Sequence, residues 1–131
     1  MNALDTNMLV RFLVRDDEAQ ATKVRSLLKQ AEGNGEVYLV PLVVVMETLW
    51  VLDAVYRQAR EQILTAIELL SLMPMLRFEQ VDVVHTLIAQ GRRTGLDLSD
   101  LLIGLSAKAQ GAEKTLTFDK DLRTSELFAT P

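Results

Sequence analysis

The chain has 131 residues, 49% of them hydrophobic, with few aromatics, no cysteine and a formal net charge of −4. That length suits one domain with one aliphatic core. The absence of cysteine rules out a disulfide scaffold and a thiolate metal site, and the acidic balance argues against retention on nucleic acid by bulk positive charge. The N-terminus shows no basic start followed by an apolar core, the mark of a secretory signal. The most apolar run, 37–46, is too short for a membrane span and is broken by Pro41.

The first stretch, Asn2-Ala3-Leu4, reads as a short strand running into Asp5, with the short polar residues Thr6 and Asn7 behind it. A carboxylate there stands at the carboxyl end of a strand, where open parallel α/β sheets bind ligands. Taken alone, Asp5 reads equally well as a helix cap or turn residue. Residues 8–14 suggest a helix. Asp17 and Gln20 have capping-box spacing ahead of a second helix with Ala21, Val24, Leu27, Leu28 and Ala31 on one face. Gly33-Asn34-Gly35 ends it.

The β-branched run 37–40 is a second strand, and Pro41 suits the start of the next helix. That helix, 42–56, is apolar nearly all round, so it is expected to be buried on most sides, in part by a second subunit. Glu47 is the isolated carboxylate within it. A helix over 57–72 carries the stripe Ile63, Ile67 and Leu70 and ends before Pro74. A third strand lies at 75–78. A helix over 79–94 turns Val81, Val84, Leu87 and Ile88 inward and is closed by Gly95. Asp97 caps a further helix with the stripe Leu98, Leu101, Leu102, Leu105 and Ala109, ended by Gly111. Residues 114–118 form a fourth strand running into Asp119, and a last short strand lies near Leu127 and Phe128. Strands alternating with helices indicate an α/β fold with a mainly parallel sheet.

Asp5 and Asp119 follow strands, while Glu47 and Asp100 lie in the first turns of helices. In a parallel sheet these positions gather on one edge, so the four carboxylates are expected to meet. Gly104, one turn beyond Asp100, is expected to leave open space above that carboxylate. Asp121 reads as a helix start or surface residue. Oxygen-only ligands call for a hard divalent cation, Mg²⁺ or Mn²⁺. The single histidine, His85, reads as a surface or core polar residue. Arg11, Arg15, Arg92, Arg93, Lys108, Lys120 and Arg123 are candidates to line a nucleic-acid path.

These segments carry a resemblance. Ala3-Leu4-Asp5-Thr6-Asn7, Glu47-Thr48-Leu49-Trp50-Val51, Gly95-Leu96-Asp97-Leu98-Ser99-Asp100-Leu101-Leu102-Ile103 and Leu116-Thr117-Phe118-Asp119-Lys120-Asp121-Leu122 stand in the order of the PIN domain, and resemble in particular the VapC-type toxins of prokaryotic toxin–antitoxin pairs. The resemblance spans the whole chain. It implies one domain over 1–131, a three-layer fold whose central, mainly parallel sheet has four or five strands flanked by helices, and the homodimer usual in the family; the lack of cysteine fits a reducing cytoplasm. It also implies a Mg²⁺- or Mn²⁺-dependent endoribonuclease held inactive by a cognate antitoxin. Asp5, Glu47, Asp100 and Asp119 match the family's acidic catalytic and metal positions; Thr6, Asn7 and Thr117 match flanking polar ones. A haloacid-dehalogenase-type site would place an aspartate where Asn7 stands. A receiver domain would need a paired acidic site after the first strand, and no P-loop occurs. The alternative from another class is a non-catalytic PIN-like scaffold that only binds protein or RNA.

Overall fold

In a computed structural model that describes residues 1–131, the chain divides into two units, Met1–Val81 and Asp82–Pro131.

The first unit opens on less strand than expected. Ala3 forms a single parallel bridge with Leu39, framed by Leu4 N–H donating to the Leu39 carbonyl and Leu39 N–H to the Asn2 carbonyl, each at 2.9 Å. Asp5 then caps helix α1 (Thr6–Leu13), accepting from Met8 N–H at 3.1 Å. The helix therefore begins two residues before the expected start, because the cap satisfies an N–H that would otherwise lack a partner. Asp17 caps α2 (Glu18–Asn34), and Gly35, at φ 74°, ends it in the left-handed region that glycine tolerates. Ala21, Val24, Leu28 and Ala31 are buried; Leu27 is only half-buried. The capping box is half made. Gln20 N–H donates to Asp17, but the Gln20 side chain accepts from Arg11 Nε at 2.7 Å instead of returning to the cap.

Strand β1 (Tyr38–Val40) pairs in parallel with β2 (Leu76–Phe78), Leu39 opposite Arg77. Helix α3 (Leu42–Ala54) follows Pro41, which offers no side-chain cap. Glu79, expected to open a later helix, supplies the cap: its Oε1 accepts from Leu42 N–H at 2.8 Å, a carboxylate on the positive end of the helix. The expectation that α3 is buried on most sides does not hold within this unit. Val45, Thr48, Leu49 and Leu52 are buried, but Val43 is 75% and Trp50 58% exposed, and Val55 beyond the helix is exposed as well. Helix α4 (Arg60–Ser71) starts three residues later than expected, since Arg57 sits at φ 52° and Ala59 is extended. Ile63, Leu64, Ile67 and Leu70 form its buried face. Ile67 has no solvent exposure, so truncation to alanine there costs about 2–5 kcal/mol. Leu69 and Leu72 face outward, the latter 72% exposed.

The second unit holds nearly all of α5 (Val81–Arg93), then α6 (Leu98–Ala109), β3 (Thr115–Leu116), a 3-10 helix (Lys120–Thr124) and β4 (Phe128–Ala129). The buried stripe of α5 is Val83, Val84, Leu87 and Ile88; Val81, at the helix start, is exposed, contrary to expectation. On α6, Leu98, Leu101, Leu102 and Leu105 are buried, while Ala109 in the last turn is exposed. The last strand forms: β4 runs parallel to β3, Thr115 opposite Phe128, with Thr115 N–H donating to Leu127 and Thr117 N–H to Ala129.

The α/β character is thus observed, but the expected continuous sheet of four or five strands is not. The hydrogen-bonded strands form two 2-stranded parallel pairs. Strands of two or three residues make ladders of only a few bonds, and the first expected strand contributes a lone bridge. No helix is long and apolar enough to cross a membrane.

Candidate active site

Asp97, Asp100, Asp119 and Asp121 line one open concavity of about 940 Å³ in the second unit. Local structure places each. Asp97 caps α6, accepting from Asp100 N–H at 3.0 Å. The return bond of a capping box is not made, so the half-buried Asp100 carboxylate stays free of the cap. Asp119 follows β3 and caps the 3-10 helix, accepting from Asp121 N–H at 2.9 Å. Its own N–H donates to Thr117 Oγ1 at 3.0 Å, so Thr117 fixes the turn that carries Asp119. Asp121 is exposed in the first turn of that helix.

The electrostatics follow from the placement. Burial pushes the Asp100 carboxyl above its ordinary value, and the charges of Asp97 and then Asp119 push it further. Asp97, read from the sequence only as a cap, therefore belongs to the charge balance of the site. The signal was present in its spacing of three from Asp100.

Gly104 does not leave open space above Asp100. A Cβ there would meet the Phe128 ring at 2.9 and 3.0 Å and Leu127 Cβ at 3.2 Å. Glycine is needed because β4 packs directly on the helix backbone.

The family model described as PIN domain matches residues 3–125. The chain belongs to the PIN domain family. PIN domains are α/β folds, in general nucleases that act on nucleic acid. The match covers all four acidic positions named from the sequence. No curated protein matches the chain.

Two of those four positions in this PIN domain, Asp5 and Glu47, belong to the first unit. Asp5 is exposed, with one carboxylate oxygen engaged as the cap of α1; Thr6 behind it is buried and Asn7 exposed. Glu47 is exposed on α3, one turn from exposed Val43 and Trp50, so facing solvent removes the cost expected of a lone carboxylate in an apolar helix. The buried polar residue of α3 is instead Thr48, whose hydroxyl donates to the Val44 carbonyl at 2.7 Å.

In kind, these donors suit a hard cation: every candidate ligand is an oxygen, and His85 lies exposed on α5. The like-charge pressure on Asp100 is what a cation relieves. In number, neither unit by itself gathers three Asp, Glu or His side chains at metal-holding distance. Of the basic candidates, Arg11 is not available to nucleic acid. It donates to Gln20, to Asp16 at 2.9 Å and to the Tyr56 hydroxyl at 3.2 Å, and Tyr56 in turn donates to Asp16 at 2.8 Å.

Proposed function

We propose that this PIN domain is a Mg²⁺- or Mn²⁺-dependent endoribonuclease, and that residues 1–131 form one functional domain, the toxin of a VapC-type toxin–antitoxin pair. The reading is supported by the family match over residues 3–125, a range that includes Asp5, Glu47, Asp100 and Asp119. These four are the proposed catalytic and metal-holding residues, with Thr6, Asn7, Thr117 and Asp121 supporting. A divalent cation held by carboxylates supplies a water of lowered pKa and charge for the phosphate oxygens. The chain's own part is to hold the acids in place. Thr117 Oγ1 and Asp121 N–H fix Asp119, and the half-buried Asp100 stands among like charges that a cation would offset.

The proposed setting is a cytoplasm with RNA as substrate. The proposed partners are a cognate antitoxin that covers the carboxylates or sets a basic side chain among them, and a second copy of the chain. The homodimer reading rests on the exposed Val43, Trp50, Val55, Leu69 and Leu72 around α3 and α4, apolar surface that water disfavours. A non-catalytic scaffold is the second reading. What favours it is that neither unit alone assembles three acidic ligands. RNA cleavage with Mn²⁺ that stops with chelator supports the enzyme; binding without cleavage supports the scaffold.

A further inference from the structure

Two concavities of the second unit adjoin. The larger holds Asp100 and Asp119; the smaller, about 300 Å³, is lined from α5 by Asp82 and Thr86 and from α6 by Leu105. Gln90 and Lys108 line both, and so form the sill between them. Arg93, the last residue of α5, lines the larger one. Neither Arg93 nor Lys108 is held in an ion pair or side-chain hydrogen bond, although four aspartates share their concavity.

A site that cuts a polyanion has an electrostatic difficulty. Carboxylates that attract a cation also repel the phosphates on either side of the cut. Unpaired cations on the same wall remove that repulsion, and their freedom from the aspartates leaves them available to phosphate. We propose that a single strand of RNA crosses this sill. Its reacting phosphodiester lies beside Asp100 and Asp119, with Arg93 on that phosphate. Lys108 holds the neighbouring phosphate, the Gln90 amide hydrogen-bonds the nucleotide between them, and the next base enters the smaller concavity. Arg93 suits the reacting phosphate because its planar guanidinium can take two oxygens at once, whereas Lys108 acts as a point charge. This track rests on the nuclease reading and names the residues that bind its substrate.

Both cations also lie in the last turns of their helices, where positive charge is favoured by the helix dipole alone. The test separates the two roles. Binding of a short fluorescein-labelled single-stranded RNA is followed by anisotropy in EDTA, where nothing is cut, across a range of salt. The proteins are wild type, Arg93→Ala, Lys108→Ala, the double variant, the charge-keeping Arg93→Lys, and Lys29→Ala on α2 as control. Each alanine variant is expected to weaken binding several-fold and to lower the slope of log K against log salt by about 0.7, the value for one phosphate contact on a single strand. The double variant should lose about twice that, while Arg93→Lys keeps the slope and Lys29→Ala keeps both slope and affinity. With Mn²⁺ present, Lys108→Ala should raise KM and spare kcat.

Unchanged affinity and slope in the double variant, with or without a lower Tm, overturns the track. So does an equal loss in Lys29→Ala. The nuclease reading fails separately: wild-type protein that binds RNA with the full slope, loses it in the variants, and never cuts leaves the track standing. Cleavage that persists at unchanged affinity in the double variant does the reverse.

Discussion

The Phe128 ring lies over Gly104 so closely that a methyl carbon on Gly104 would stand 2.9 Å from the tip of the ring. Gly104→Ala should therefore overpack the α6–β4 contact, at about 1–3 kcal/mol, offset by up to about 1 kcal/mol of helix propensity. The expected result is a net loss of stability, read as a lower urea midpoint. Adding Phe128→Leu to that variant should recover part of the loss, because the shorter side chain leaves room for the new methyl. A Gly104→Ala protein at least as stable as wild type would show that β4 yields freely.

A second prediction concerns Tyr56. Its hydroxyl, then the charge of Arg11, holds the Asp16 carboxyl below its ordinary value. A depressed folded pKa contributes stability that is present above the unfolded value, about 3.9, and is lost as pH falls through the lower folded one. Tyr56→Phe should lower Tm at neutral pH, and the gap to wild type should narrow as the solution is acidified below about pH 4. A gap that is constant with pH would mean that the hydroxyl acts by packing alone.

The helix faces were legible because burial repeats at helical spacing, as Ile63, Ile67 and Leu70 do, or Leu98, Leu101, Leu102 and Leu105. Starts and ends were less so, for reasons that lie far along the chain. α3 takes its cap from Glu79, 37 residues away, and nothing in the local sequence at either place marks that bond. The space over Gly104 is likewise filled from β4. Within the site, the positions of Asp100 and Asp119 could be read from a cap and a strand end. That Asp97 shares their concavity and raises the Asp100 carboxyl could not, because this arises only when α6 and the turn after β3 are folded together.

The third prediction links metal and pH. The Asp100 carboxyl is raised, so without metal its contribution to stability is fully present below the unfolded carboxylate pKa and is lost as pH rises through the folded one. A cation prefers the ionised form and competes with protons. The Tm rise produced by Mn²⁺ should be larger at roughly pH 8 than at roughly pH 5, carboxylates of ordinary pKa near 4 being free of protons at the former. The underlying stabilisation grows with metal concentration and reaches about 2.7 kcal/mol at a hundredfold excess over Kd. Asp100→Asn should shrink the rise and leave the metal-free protein no less stable near neutral pH. An equal rise at both pH values would count against carboxylate ligands.

The fourth concerns association. Leu69→Glu on α4 with Leu72→Glu just beyond its end should convert a homodimer to monomer in sedimentation velocity at micromolar concentration, with the helical circular dichroism unchanged. Wild-type protein that sediments only as monomer would end the dimer reading.

The most direct measurement is cleavage of a labelled single-stranded RNA by wild-type protein, Asp5→Asn and Asp119→Asn, each with Mn²⁺ and with excess EDTA. Asparagine keeps the size of the side chain and removes the charge that holds a cation, so each folded variant should lose at least about a hundredfold in kcat/KM, about 2.7 kcal/mol of transition-state stabilisation. Wild type should cut only with Mn²⁺. Cleavage by wild type in EDTA, or full activity in either folded variant, would contradict the account.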